Sequence, residues 1–160
     1  MALFKVYTIA LIVFCVDQGS KYFVVHFLNL AEFFRIDVFP PFLNFRMAWN
    51  QGINFGLFGS DSLSSRILLI SISIIICIVL TLWAKKTENV NTHVFLALII
   101  GGAFGNTFDR VLYGAVADFL NMSCCGIQNP FSFNVADISI FLGALGLIFT
   151  QDSVNKQSEL

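Results

Sequence analysis

Two aspartates, Asp118 and Asp137, lie at the two ends of the segment that joins the third and fourth apolar stretches of the chain. If both stretches cross a membrane, one runs out and the other returns, so the two carboxylates lie at the same membrane face. A close pair of carboxylates cannot easily carry two negative charges, so one holds a proton and the pair titrates as a unit. One can then act as general base on a water molecule while the other donates a hydrogen bond to a carbonyl oxygen. These residues predict the chemistry of an aspartic peptidase, with no metal and no cofactor.

A structural role for Asp137 stays open beside the catalytic one. Asn134 lies three residues earlier and is an expected N-cap of the fourth helix, which places Asp137 in the first helical turn. The helix dipole and the free backbone amides favour a carboxylate there on structural grounds alone.

Asp17 and Lys21 interrupt the first apolar stretch at a spacing of four residues. Ionisable groups inside a membrane are energetically expensive, so each is a candidate functional group. Their spacing places both side chains on one helix face and lets them pair, which lowers the desolvation cost. Because pairing quenches reactivity, we favour a structural ion pair that orients the first helix, with a role at a functional site as the alternative.

The third apolar stretch ends in a polar segment rich in glycine. Gly101 and Gly105 form a small-xxx-small pair, which predicts close packing against another helix. Asn106 and Arg110 share one helix face, and Asp109 lies beside them. These three side chains either close the helix end as a polar cluster or support an active site, and the residues alone favour neither.

The composition indicates that lipid rather than water is the main solvent of this chain. Hydrophobic residues make up 57% of the 160 residues and charged residues only 12%, against about 25% charged in average soluble domains. A net charge of −1 provides no basic footprint for nucleic acid. A bilayer crossing needs about 20 mostly apolar residues. Four such stretches are present, at about 4–28, 67–84, 93–111 and 135–150.

We therefore expect an all-α integral membrane protein with four transmembrane helices, forming a single membrane domain over residues 1–160. Lys85 and Lys86, directly after the second span, favour cytoplasmic N- and C-termini. The polar tail, residues 151–160, is then cytoplasmic, and we expect it to be disordered. A cleaved signal peptide is the less favoured alternative for the first span, because Phe14 stands before Cys15 where cleavage requires a small residue.

The loop between the first two spans, about residues 29–66, is rich in aromatic residues and glycines. Alternation within Phe42–Met47 predicts short strands, so we expect a small β-rich element on the outer membrane face. Its glycines, at Gly52, Gly56 and Gly59, suit a mobile cover.

The remaining reactive residues give weaker signals. Cys15, Cys77, Cys124 and Cys125 form neither a disulfide framework nor a zinc-site spacing. A vicinal disulfide at Cys124–Cys125 is one alternative, and two free thiols are the favoured one. There is no HExxH zinc motif in the sequence.

Four motifs in order resemble the lipoprotein signal peptidase (signal peptidase II) family. They span nearly the whole chain and together are highly specific. They are Asp17-Gln18-Gly19-Ser20-Lys21; Asn50-Gln51-Gly52-Ile53-Asn54-Phe55-Gly56; Gly101-Gly102-Ala103-Phe104-Gly105-Asn106-Thr107-Phe108-Asp109-Arg110 with Gly114, Val116, Asp118 and Phe119; and Phe133-Asn134-Val135-Ala136-Asp137.

The resemblance implies a membrane aspartic endopeptidase of the bacterial cytoplasmic (inner) membrane, acting near its outer face. Its substrates would be prolipoproteins that carry a diacylglyceryl group on a cysteine, cut immediately before that cysteine. It further implies inhibition by globomycin, and we expect a monomer surrounded by membrane lipids. Asp118 and Asp137 would be the catalytic pair. The residues implied to bind substrate or support the site are Asp17, Lys21, Asn50, Gly52, Asn106, Asp109, Arg110, Asn134 and Ala136.

Two segments depart from the family pattern. Ile53 and Asn54 stand where small residues are frequent, and residues 120–130 lack the usual aromatics. Two other functions stay open on the residues alone. A transporter or proton channel predicts essential charges spread through the depth of the bilayer, and a scaffold protein predicts that Asp→Asn changes at positions 118 and 137 are tolerated.

Overall fold

The computed structural model describes residues 2–52 and 62–158 of the chain. Residues 53–61 lie outside the described residues, and with them the expectations for Ile53, Asn54, Gly56 and Gly59. Five α-helices are described: α1 (Ala2–Lys21), α2 (Leu30–Phe33), α3 (Ser62–Lys86), α4 (Val90–Tyr113) and α5 (Val135–Ser158). A π-helical segment, Tyr22–Phe27, continues α1.

Three of the described helices are long and apolar enough to cross a membrane. They cover Leu3–Phe27, Leu63–Lys86 and Val90–Tyr113, with mean hydropathies of 1.4, 2.9 and 1.3. At 1.5 Å per residue, 24 residues extend about 36 Å, which exceeds the ~30 Å hydrocarbon core. The apolar part of α5 is shorter, Val135–Thr150. The structure thus contains all four expected helices, three of which have the length of a full span.

The helices extend beyond the apolar stretches because polar residues at their ends cap them or continue them. Asn89 caps α4, its Oδ1 accepting hydrogen bonds from the backbone N–H groups of Asn91 and Thr92. Gly114 ends α4 with a φ of 79°, and its N–H donates to the carbonyl of Arg110. The α5 helix continues to Ser158, so the expected disorder is wrong for residues 151–158. That stretch contains neither proline nor glycine to stop the helix.

Three antiparallel strands form one sheet in the order β1-β2-β3: β1 (Arg35–Phe39), β2 (Leu43–Asn50) and β3 (Val116–Met122). The hairpin of β1 and β2 confirms the β-rich element predicted in the first loop. The third strand was not predicted. It pairs Ala48 with Asp118 and Asn50 with Val116. Because side chains alternate along a strand, Asn50 and Asp118 lie on the same face of the sheet.

Glycines allow α4 to approach two neighbouring helices closely. A Cβ at Gly101 would lie 2.6 Å from the carbonyl oxygen of Ala10 on α1, and one at Gly102 would lie 2.5 Å from that of Ala136 on α5. One buried cluster joins α1, α3 and α4, and a second cluster lies under the sheet and contains Phe119. The packing of α4 therefore fixes the polar residues at its C-terminal end relative to both neighbours.

Candidate active site

Asn134 and Asp137 form a reciprocal cap at the start of α5. The Asn134 side-chain oxygen accepts a hydrogen bond from the backbone N–H of Asp137 (2.9 Å), and the Asp137 Oδ2 accepts one from the backbone N–H of Asn134 (3.2 Å). This is the geometry of a capping box. The structural role expected for Asp137 is therefore present, and its second oxygen, Oδ1, accepts a hydrogen bond from elsewhere.

Asn134 also contacts the other aspartate. Its Nδ2 donates to Asp118 Oδ1 at 2.6 Å, and Asp118 Oδ2 accepts a hydrogen bond from Asn50 Nδ2 at 3.0 Å. The Asn50 amide is oriented by Gly52, whose backbone N–H donates to Asn50 Oδ1 at 2.9 Å. Gly52 has a φ of +93°, a conformation that favours glycine. A single asparagine thus hydrogen-bonds to both aspartates, which come from a strand and a helix.

Asn106 connects this pair to the charged residues of α1. Its Nδ2 donates to Asp137 Oδ1 at 2.9 Å, while its Oδ1 accepts hydrogen bonds from Asn134 Nδ2 at 3.1 Å and from Lys21 Nζ at 3.3 Å. Both the donor nitrogen and the acceptor oxygen of the Asn106 amide therefore have partners. The orientation places a donor, not an acceptor, against Asp137.

A buried ion cluster lies beside the two aspartates. Lys21 Nζ lies 2.7 Å from Asp17 Oδ2 and 2.8 Å from Asp109 Oδ2, and all three side chains are buried. Asp17 Oδ1 accepts the backbone N–H of Ala136 at 2.9 Å, and Asp109 Oδ2 accepts that of Ala117 at 3.2 Å. The predicted Asp17–Lys21 pair is present. With Asp109 it ties α1 to α4, to the first turn of α5 and to β3, so it holds the elements that carry the aspartates.

Gln18 belongs to the same cluster, and the sequence analysis did not select it. Its Nε2 donates to Asp109 Oδ1 at 2.8 Å and to Asp17 Oδ2 at 3.1 Å. The sequence does contain a signal that could have identified Gln18, because it is a polar residue inside an apolar helix and directly follows Asp17. Gly105 lies against this group, since a Cβ there would be 2.6 Å from Asp17 Oδ2.

Arg110 brings a positive charge to the aspartate pair. Its Nη1 donates to the carbonyl of Asn106 at 3.3 Å, and the negative charges of Asp118, Asp137 and Asp109 act on its guanidinium. Its buried Nε has no hydrogen-bond partner within residues 2–52 and 62–158. A buried donor without a partner is costly, so this group is suited to receive an acceptor from a ligand.

The surroundings of Asp118 alter its affinity for a proton. Burial and the negative charge of Asp137 raise the pKa of Asp118 from 3.8 to about 6. The hydrogen bonds from Asn50 and Asn134 and the charge of Lys21 act in the opposite direction and do not cancel the rise. At pH values below about 6 Asp118 therefore holds a proton. The pair can supply a general acid and a general base within one site.

All eleven residues expected at the site lie in one connected network, with distinct contacts. Asp109 contacts Lys21 and Gln18 rather than either member of the aspartate pair, Gly52 acts through Asn50, and Ala136 contributes its backbone N–H. The structure also joins Cys124 and Cys125 in a disulfide, which is the alternative that the sequence analysis favoured less.

Comparison with known proteins places this chain in a family. The lipoprotein signal peptidase of Pelagibacter ubique is 43% identical over 148 residues, which cover 89% of this chain and 84% of that protein. The lipoprotein signal peptidase of Pseudoalteromonas atlantica is 37% identical, with 92% of each chain covered. A bacterial membrane enzyme solved by the in meso method at 1.9 Å resolution superposes with a TM-score of 0.79 at 30% identity, covering 92% of each chain. The model of the signal peptidase (SPase) II family matches residues 9–151, and the chain belongs to that family.

Proposed function

We propose that this chain is a membrane aspartic endopeptidase that removes signal peptides from diacylglyceryl-modified prolipoproteins, cutting immediately before the lipidated cysteine. The observation that carries the proposal is the Asn134 side chain and backbone, which hydrogen-bond to Asp118 Oδ1 and Asp137 Oδ2 at 2.6 and 3.2 Å. Two carboxylates from separate elements are thereby held at one asparagine. Membership of the signal peptidase II family and relatives named lipoprotein signal peptidase support the substrate class.

The chemistry follows from the different surroundings of the two carboxylates. We assign the proton of the pair to Asp118, so Asp137, in the first turn of α5, acts as the general base. It takes a proton from a water molecule, and the hydroxide attacks the carbonyl carbon of the scissile peptide. Protonated Asp118 donates a hydrogen bond to the carbonyl oxygen. When the tetrahedral intermediate collapses, the C–N bond breaks and Asp137 gives the proton that it took from water to the leaving nitrogen. The products are a carboxyl group and a free amine, and Asp137 is again ionised.

Neighbouring residues have supporting roles in this scheme. Asn106 holds Asp137, Asn50 holds Asp118 through an amide that Gly52 orients, and Arg110 supplies positive charge beside the substrate carbonyl. The ion cluster of Asp17, Lys21 and Asp109, together with the Ala136 N–H, positions the helices. The buried charged side chains gather around the aspartate pair, which favours a peptidase over the spread of charges that a transporter requires.

The membrane arrangement is part of the proposal. All four long helices cross the bacterial inner membrane, with both termini in the cytoplasm and the aspartate pair near the outer face. The enzyme acts as a monomer of one membrane domain, receives its lipid-modified substrate from the outer leaflet and is inhibited by globomycin at the aspartate pair.

The direct test is cleavage of a diacylglyceryl-modified prolipoprotein by the purified protein in detergent. We expect the wild-type protein to cut before the lipidated cysteine, and Asp118→Asn and Asp137→Asn to lose turnover by about a thousandfold or more while remaining folded. Asp37→Asn is the matched control, because Asp37 is an exposed residue on β1 that pairs with Arg35. Substantial turnover by either Asn variant at position 118 or 137 would contradict the role assigned to the aspartate pair. No cleavage by the folded wild-type protein would contradict the peptidase function itself.

A further inference from the structure

A cavity lies between three of the long helices, and none of the residues of the aspartate site lines it. It is an apolar groove of about 680 Å³ between α1, α3 and α4, within the range of small-molecule binding sites. Phe14, Ile74, Ile78 and Phe104 are among its lining side chains, and Lys85 stands at one end. The mechanism proposed above leaves this groove without a role.

The groove has the length of one membrane leaflet. On α3 its lining runs from Ile74 to Lys85, which is about 16 Å at the rise of an α-helix. Half of the hydrocarbon core is about 15 Å. The apolar part therefore extends from the bilayer midplane to the membrane surface at which Lys85 lies, and the lysine stands at headgroup depth.

The positive charge at the Lys85 end of the groove indicates which kind of molecule binds there. Lys85 and Lys86 end α3, Lys5 lies near the start of the antiparallel helix α1, and Glu88 lies in the segment between α3 and α4. Among the side chains that the structure describes at this end, three cations and one carboxylate leave a positive surface that attracts anionic lipid headgroups. A signal peptide carries its own positive charges on the cytoplasmic side, so these lysines would repel it.

We propose that the groove binds an anionic phospholipid of the cytoplasmic leaflet, with one acyl chain between α1, α3 and α4 and the phosphate at Lys85. The apolar side chains replace neighbouring lipid tails around that chain. The bound lipid fills the space between three helices whose contacts position the aspartate pair.

Native mass spectrometry of the purified full-length protein tests this proposal with two probes of identical acyl chains, phosphatidylglycerol and phosphatidylcholine. We expect the wild-type protein to bind one phosphatidylglycerol molecule about fivefold more tightly than one phosphatidylcholine molecule. One lysine near the membrane surface provides a preference of this size for an anionic lipid. Lys85→Gln should remove this preference. Lys86→Gln is the matched control, because Lys86 is the neighbouring cation and does not line the groove, and it should keep most of the preference.

A second pair of variants tests the acyl-chain site itself. Thr81→Phe places a ring in the groove and should remove the retained lipid, whereas Val79→Phe, at an exposed position on the same helix outside the groove, should not. Equal lipid preference in the wild-type and Lys85→Gln proteins would overturn the proposal. Unchanged lipid retention by a folded Thr81→Phe protein would also overturn it. If that variant retained its lipid but bound a signal peptide more weakly, the groove would be a binding site for the substrate. Because Lys85 is exposed, we expect Lys85→Gln to fold. This variant therefore tests the lipid site even if Thr81→Phe does not fold.

Discussion

The pH dependence of peptidase activity gives a sharp test of the role proposed for Asp118. The pKa of Asp118 is raised to about 6, and the proposed mechanism requires its proton, so kcat/KM should fall as the pH rises above about 6. The hydrogen bond from Asn50 Nδ2 to Asp118 Oδ2, 3.0 Å long, stabilises the ionised carboxylate. Asn50→Ala removes that stabilisation. The pKa of Asp118 should therefore rise further, and the basic limb of the activity profile should move to higher pH.

The size of the shift follows from the strength of the bond. A hydrogen bond to a charged group contributes about 1.5–3 kcal/mol, and Asn50 is exposed, so the lower figure applies. At about 1.4 kcal/mol per unit, the limb should move by about one pH unit. The assay is kcat/KM for the lipid-modified substrate over a pH series, since that ratio reports on the free enzyme.

The control for this experiment is Lys5→Gln, which removes an exposed charge on α1, twelve residues before Asp17. Twelve residues extend about 18 Å along a helix, beyond the Debye length of about 8 Å at physiological salt, so the limb should stay in place. A limb that Asn50→Ala leaves unmoved, or moves to lower pH, would refute the assignment of the proton to Asp118, even if the variant is slower at every pH.

Two further predictions concern stability, measured by reversible unfolding of the detergent-solubilised protein. Gly102→Ala should destabilise by about 1–3 kcal/mol, because the new methyl group meets the backbone oxygen of Ala136; Gly19→Ala, which meets no atom within 4 Å, should not, and equal losses would contradict the close packing of α4 on α5. Lys21→Met should cost about 3–5 kcal/mol, because it leaves two buried carboxylates without their cation. Arg35→Met breaks an exposed ion pair and should cost less than about 1 kcal/mol; similar losses in the two variants would show that the buried cluster contributes no more than a surface pair.

The sequence predicted the helices and the hairpin because both leave local signals. Long apolar runs have the length of a bilayer crossing, and the alternation in Phe42–Met47 has the period of a strand. The spacing of Asp17 and Lys21 predicted their ion pair for the same reason, since residues four apart on a helix are neighbours. The third strand has no such signal. Val116–Met122 is buried at nearly every position, so it lacks alternation, and its pairing with β2 joins residues about 70 positions apart.

The roles of the asparagines show most clearly what local pattern leaves open. Asn134 was predicted as a helix cap, which its spacing to Asp137 indicates, but its bond to Asp118 depends on where β3 lies. The sequence favoured neither a helix-end cluster nor site support as the role of Asn106. In the structure its amide has both roles, because it hydrogen-bonds to Asp137 through Nδ2 and to Lys21 through Oδ1. An amide has one donor end and one acceptor end, so the lysine that fixes the acceptor also fixes the donor against the carboxylate. The sequence indicated a structural ion pair for Lys21, with a role at the site as the alternative. In the structure Lys21 orients the Asn106 amide, which contacts the proposed general base, so the structural and the functional interpretation of Lys21 describe the same interaction.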